Sequence, residues 1–220
     1  MKPINPGENV IDSGLVDRAR GLSRPGERRI LGIAGAPAAG KSTLAAAVVA
    51  ALAPDAVLVP MDGYHLAAAE LIRLGRIERK GAPDTFDVAG YTALLRRLRD
   101  CTDDVVYAPE FRREIEEPIA GAIAVPRAVP LVVTEGNYLL HWAPVRALLD
   151  EVWFIDLNET TRLQRLIERH TAYGRTRAEA EGRAHGSDQR NADLILAGRA
   201  GADLIVSGRL APDDVEADDA

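Results

Sequence analysis

Eight consecutive residues constrain this chain more than any others: Gly35-Ala36-Pro37-Ala38-Ala39-Gly40-Lys41-Ser42. They fit the phosphate-loop pattern G-x-x-x-x-G-K-[ST]. Glycines let such a loop curl until its backbone N–H groups converge on an anion. The lysine reaches the outer phosphates, and the following hydroxyl can ligate a divalent cation. The context is the one the pattern requires. Arg29–Ala34 reads as a buried strand, and Thr43–Leu52 reads as a helix whose N-terminus adds its dipole to the anion site. Residues 35–43 are therefore the expected binding site for a nucleotide's phosphates, with Thr43 the first residue beyond the pattern.

Composition narrows the rest. A chain of 220 residues suits one α/β domain spanning 1–220, with an N-terminal extension over 1–25 and an acidic tail over 210–220. A hydrophobic content of 47% is enough for a sizeable core, and a net charge of −6 gives no reason to expect nucleic acid as a partner. A single cysteine, Cys101, excludes a disulfide framework and a cysteine metal site. No stretch is long and apolar enough for a membrane span, and the first residues lack a signal-peptide pattern. A cytoplasmic protein with no membrane partner is the expectation.

Short apolar runs alternate with helical patterns along the chain. Strands are expected at Ile30–Ala34, Ala56–Pro60, Val105–Tyr107, Leu131–Thr134, Val152–Asp156 and Asp203–Val206. Several are near-continuous Val/Ile/Leu runs, as in parallel strands covered on both faces. Helices are expected at Ser42–Ala53, Leu66–Leu74, Val88–Asp100, Pro144–Leu149, Thr160–Thr171 and Arg177–Ala197, the last with breaks at Gly182 and Gly186. A short N-terminal helix is expected around Asn9–Arg20. This order predicts a P-loop α/β fold, a three-layer α/β/α sandwich with a mainly parallel, doubly wound sheet. Residues 107–126 read as an antiparallel flap outside that sheet.

In open α/β sheets, ligands bind beyond the carboxyl ends of the strands. The second strand runs into Met61-Asp62-Gly63-Tyr64-His65, and the fourth into Glu135-Gly136-Asn137-Tyr138. Each brings a carboxylate toward Lys41 and Ser42. Carboxylates there can hold Mg²⁺ or accept a proton from an attacking hydroxyl. Arg162, Arg165 and Arg169 are spaced i, i+3, i+7 along one helical stripe, and Arg175 follows Gly174. They read either as a solvated basic face or as a helical arginine-bearing lid over the phosphates. His65 is the histidine placed to contact substrate, although a structural role suits it as well.

With these residues in view, the chain resembles the phosphoribulokinase/uridine kinase family of P-loop kinases over roughly residues 29–208. The resemblance rests on Gly35–Ser42, Met61-Asp62-Gly63-Tyr64, Pro83-Asp84-Thr85-Phe86-Asp87, Val106-Tyr107-Ala108-Pro109, Val133-Thr134-Glu135-Gly136 and Thr161-Arg162-Leu163. It implies ATP and Mg²⁺ as cofactors and a small-molecule acceptor: a sugar, a nucleoside or a pantothenate-like compound. Asp62 matches the catalytic base, and Ser42, Asp62 and Glu135 are the metal-side set. Arg169 and Arg175 match lid arginines that work with Lys41. Asn191 matches a position near the adenine. Tyr64, His65, Asp84, Tyr107, Arg112, Glu135, Tyr138 and Arg169 fall on the acceptor side.

Two departures bear on the acceptor. Uridine kinases place an aspartate for the ribose where this chain has Gly81. They also carry a histidine soon after the tyrosine matching Tyr107, where this chain reads Glu110-Phe111-Arg112-Arg113-Glu114. The pattern looks closer to a bacterial fructokinase-like and pantothenate-kinase-like branch. Arg112 or Arg113 is available to meet an anionic acceptor, or is a solvated flap residue. The expected activity is transfer of a γ-phosphoryl group to a hydroxyl of a sugar or related metabolite. Nucleoside or pantothenate phosphorylation, and a nucleotide-binding regulator without catalysis, are the alternatives. A homodimer is compatible with all of them.

Overall fold

The computed structural model describes residues 11–24 and 26–208. Its strands are β1 (Arg29–Gly35), β2 (Ala56–Leu58), β3 (Val105–Arg112), β4 (Glu117–Pro126), β5 (Leu131–Gly136), β6 (Glu151–Asp156) and β7 (Leu204–Ser207). Its α-helices are α1 (Ser13–Leu22), α2 (Lys41–Leu52), α3 (Ala68–Arg73), α4 (Val88–Asp100), α5 (Ala143–Arg146), α6 (Glu159–Ala172), α7 (Arg177–His185) and α8 (Ser187–Ala197). Five strands form one sheet in the order β2-β5-β1-β6-β7, with every neighbouring pair parallel. The strands β3 and β4 form a separate antiparallel hairpin, as expected for residues 107–126.

Why these runs become central strands is visible in their alternation. Ile30, Val132, Val152 and Phe154 pack into one core with α4, α5 and the hairpin. Leu31, Val133, Trp153 and Ile155 pack into a second core against α1 and α2. Successive side chains of a strand point to opposite faces, so a strand covered on both sides must be apolar throughout. Trp153 and Phe154 are fully buried, one in each core. Truncating either to alanine costs about 3–5 kcal/mol.

The helices follow the same logic with period 3.6. In α4, Tyr91, Leu94, Leu95 and Leu98 form the buried face, and the Asp87 side chain caps the N-terminus by accepting from the Gly90 N–H at 2.8 Å. In α2, Lys41 lies on the same buried stripe as Leu44, Ala45, Val48 and Leu52.

Some expectations shift. The long final helix breaks once, at Gly186, into α7 and α8, and continues through Gly182. Gly186 sits at φ −98°, ψ −101°, outside the helical region, whereas Gly182 lies inside α7. The hairpin strand β3 runs on to Arg112, because β4 gives it a partner along its whole length. The N-terminal helix covers Ser13–Leu22, with Asp12 capping it. Asn9, Val10 and the acidic tail lie outside the described residues. Among the described residues, no helix is long and apolar enough to cross a membrane.

Candidate active site

Sheet order brings the site together. The strand β5 lies between β1 and β2, so the carboxyl ends of three adjacent strands release their loops side by side. Register places Ile33 opposite Glu135 and Leu58 opposite Val133. The pairing continues beyond β2, where the Val59 N–H donates to the Val133 carbonyl at 2.8 Å. The chain then turns through a 3₁₀ segment, Met61–Tyr64, which carries Asp62.

The phosphate loop takes the expected shape. Gly40 stands at φ +99°, a left-handed conformation that glycine adopts without cost, and caps α2. Ser42 and Thr43 are exposed at the start of that helix, where unpaired N–H groups await an anion. Lys41 is buried, and its Nζ donates to the Ala36 carbonyl at 3.0 Å. Burial pushes its ammonium down to about 8, against the opposing charges of Glu135 and Asp62.

Glu135 is buried at the end of β5 and accepts a hydrogen bond from Ser42 Oγ at 3.0 Å. Burial and the nearby Asp62 charge raise its pKa, while Lys41 and the Ser42 hydroxyl oppose the rise. A hydroxyl and two carboxylates facing a phosphate loop form a set of hard oxygen donors. That set fits Mg²⁺ completed by water and phosphate oxygens. Among the described residues no cluster of three acidic, histidine or cysteine groups forms a self-sufficient metal site.

Two glycines let the pieces close. A Cβ at Gly136 would lie 2.5 Å from Met61 Cβ, and one at Gly63 would lie 2.8 Å from the Pro109 carbonyl carbon. The first contact presses the Asp62 turn onto β5, and the second presses the hairpin onto that turn. The neighbouring turn Pro83–Thr85 is held there as well, through Leu66 N–H to the Thr85 carbonyl and Asp87 N–H to the Tyr64 carbonyl.

The arginine stripe of α6 faces inward. Arg162 is 3% exposed and donates to Gln189 Oε1 of α8 at 2.5 Å, which excludes the solvated-face reading for this residue. Its other terminal nitrogen has no partner among the described residues. Arg162 also lines a cavity of about 50 Å³ with Ala36 and Ala39, which has room for water. Further along, Arg169 is partly buried. Burial and the Arg113 guanidinium lower its pKa, whereas Asp188 and Asp62 oppose this. The Asp188 carboxylate pairs with His170 Nε2 at 2.7 Å, joining α6 to α8 beside that group.

Several expected acceptor contacts are engaged elsewhere. Asp84 is exposed and paired with Arg79 at 2.6 Å and Arg76 at 3.5 Å, which ties down its own loop. Tyr138 is fully buried, and its hydroxyl donates to the Gly81 carbonyl at 2.7 Å. Tyr64 is turned onto α4, with its ring 5.2 Å from that of Tyr91. Burial pushes its pKa up to about 12. Asn191 donates to the Gly81 carbonyl at 3.4 Å, which places it against the turn before Pro83. Arg112 pairs with Glu110 along the hairpin at 2.8 Å. Tyr107 is 60% exposed, because Val106 and Ala108 take the packed face of β3. Arg175 is exposed on the turn after α6, with no hydrogen bond from its guanidinium among the described residues.

His65 sits between Phe86 and Phe111, with ring centroids 4.0 and 4.7 Å away. Its Nδ1 lies 2.9 Å from the Asp62 carbonyl oxygen. A carbonyl only accepts, so Nδ1 carries the proton. Burial lowers the pKa of the ring, and the bond to Asp62 braces that turn.

Sequence spacing did not single out Arg113. Its guanidinium lies 3.6 Å from Asp62 Oδ2. The only signal was the pair Arg112-Arg113, and the turn that follows β3 decides which of the two reaches Asp62.

Comparison with known proteins agrees with this geometry. A Schizosaccharomyces pombe protein provisionally named a uridine kinase is 32% identical over 180 residues, covering 76% of this chain and 77% of its own length. The ATP-dependent kinase-like protein notR' of Aspergillus versicolor is 35% identical over 152 residues, covering 63% of this chain and 88% of its own. A crystal structure from Silicibacter sp. TM1040, provisionally described as a fructose transport system kinase, has a TM-score of 0.81 at 34% identity. It covers 88% of this chain and 98% of that one. The chain belongs to the phosphoribulokinase/uridine kinase family of P-loop kinases. No family model matches it. Like the kinases of this family, it is an ATP-dependent phosphotransferase with an alcohol group as acceptor. The phosphate loop of this chain is Gly35–Ser42.

Proposed function

We propose that this kinase transfers the γ-phosphoryl group of ATP to a hydroxyl of a sugar or a related polyhydroxylated metabolite. The observation that carries the reading is the convergence of Asp62, Glu135, Ser42 and Lys41 at three adjacent strand ends. Lys41 and the loop N–H groups hold the phosphates. Ser42, Glu135 and Asp62 supply the oxygen ligands on the Mg²⁺ side, where the bound cation offsets phosphate charge. Asp62 takes the proton of the attacking hydroxyl, and Arg169 neutralises charge as the bond to the leaving phosphate loosens. Water-excluding closure falls to α6 and α7.

The similarity to the bacterial protein described as a fructose transport system kinase supports a sugar acceptor. The similarity to the yeast protein supports a nucleoside instead. Gly81 weighs against a nucleoside: at φ +99° it disfavours any side chain for a ribose, and its carbonyl is already bonded by Tyr138 and Asn191. The test is Asp62→Asn in an ATP-coupled assay with a sugar, nucleoside and pantothenate panel. Turnover should fall by about 10²–10⁴-fold while ATP affinity persists. Near-unchanged turnover would remove Asp62 from the role of base, and ATP binding without any acceptor would favour a regulator.

A further inference from the structure

The hairpin tip delivers one cation, Arg113, to Asp62. Its position is fixed by other contacts. Lys80 donates to the Glu116 carbonyl and lies over the Phe111 ring, 5.0 Å from its centroid. Glu117 accepts from the Ala68 N–H at 3.0 Å, and Phe111 packs on His65. Arg113 is thus carried to Asp62 by its neighbours rather than drawn there by a bond of its own. At 3.6 Å the pair attracts by charge, but the distance is too long for a hydrogen bond, and the Arg113 donors have no partner among the described residues. Arg112, next to it, has its charge matched by Glu110.

Arg113 adds positive charge near Lys41 and Arg169, and lowers the pKa of both. The triphosphate already has Lys41, the loop N–H groups and Arg169. Arg113 comes from the hairpin, not from the phosphate loop or α6, and the ion pair it makes is with Asp62, 3.6 Å away. We infer that the acceptor bears an anionic group, a carboxylate or a phosphate, and that Arg113 recognises it through its free N–H fork. The inference rests on the reading of Asp62 as base and narrows the acceptor to an acidic polyol.

The experiment compares kcat/KM within matched pairs that differ in one charged group: D-fructose and D-fructose 6-phosphate, glycerol and D-glycerate, panthenol and pantothenate. The wild type should prefer the charged member of at least one pair by about 10- to 100-fold, the range expected for hydrogen bonds to a charged group. Arg113→Gln should erase that preference through KM, and Arg112→Gln should preserve it. The carboxylate and phosphate pairs separate the two anions. A wild type that prefers the neutral member, or an Arg113→Gln variant that keeps the charged preference, overturns the inference and leaves the kinase reading intact. A wild type that phosphorylates none of the six compounds overturns both.

Discussion

The two halves of this site are built differently. The donor half is local: residues 35–43 form one loop and one helix start, and most of its donors are backbone N–H groups. The acceptor half, in the proposed reading, is assembled from a 3₁₀ turn and a hairpin tip, which contribute one side chain each: Asp62 and Arg113. A backbone-built site tolerates change in its surroundings, because its geometry is set by dihedral angles within a few residues. A site built across elements depends on packing at every junction. Donor function should therefore survive perturbations that disable the acceptor half.

Four substitutions or conditions would break or sharpen that contrast. The largest effect belongs to Lys41→Ala, which removes the charged donor to the outer phosphates. It should lower kcat/KM for ATP by about 10²–10³-fold, whereas Asp62→Asn should leave ATP affinity, measured by calorimetry, within a few-fold. Gly136→Ala comes next. Its Cβ would press on Met61 and displace the Asp62 turn, costing about 1–3 kcal/mol in denaturant unfolding and lowering turnover while ATP still binds. Equal loss of ATP binding would show that the halves are coupled.

The third is pH. Burial holds the Lys41 pKa at about 8, below the value for an exposed lysine. The unfolded chain then holds a proton that the folded chain releases, so this group makes stability rise with pH above about 8. Phosphate binding needs the charged ammonium, so ATP affinity should fall over the same range. Opposite slopes of melting temperature and ATP affinity above pH 8 would identify Lys41 as the group responsible, whereas parallel slopes would exclude it. The smallest effect is expected for Asp84→Asn. It breaks exposed pairs with Arg76 and Arg79 and should change stability by about 1 kcal/mol or less. The acceptor KM should not move. A large KM effect would return Asp84 to the substrate site.

Sequence read the shape of the phosphate loop and the start of α2, because both are set within nine residues. It also read the strand order of events along the chain, the flap and the positions of Asp62 and Glu135. It did not show which partners within the protein Tyr64, Asp84, Tyr138 and Asn191 would take: Tyr91, Arg79 or the Gly81 carbonyl. The stripe of α6 was legible as a stripe. Whether it faced water or α8 was not, since periodicity fixes which residues share a face and leaves open what that face meets.

By itself, the sequence determined an anion-binding loop, a covered parallel sheet and two carboxylates at strand ends. All three follow from local dihedral preferences and from apolar patterning. Tertiary structure alone decided that β5 would lie between β1 and β2, bringing Glu135 to Ser42 and Asp62 beside both. It also decided that Arg113, not Arg112, would face that carboxylate. Those choices depend on contacts between segments tens of residues apart. Their free energy comes from burying surfaces that no short stretch of sequence contains.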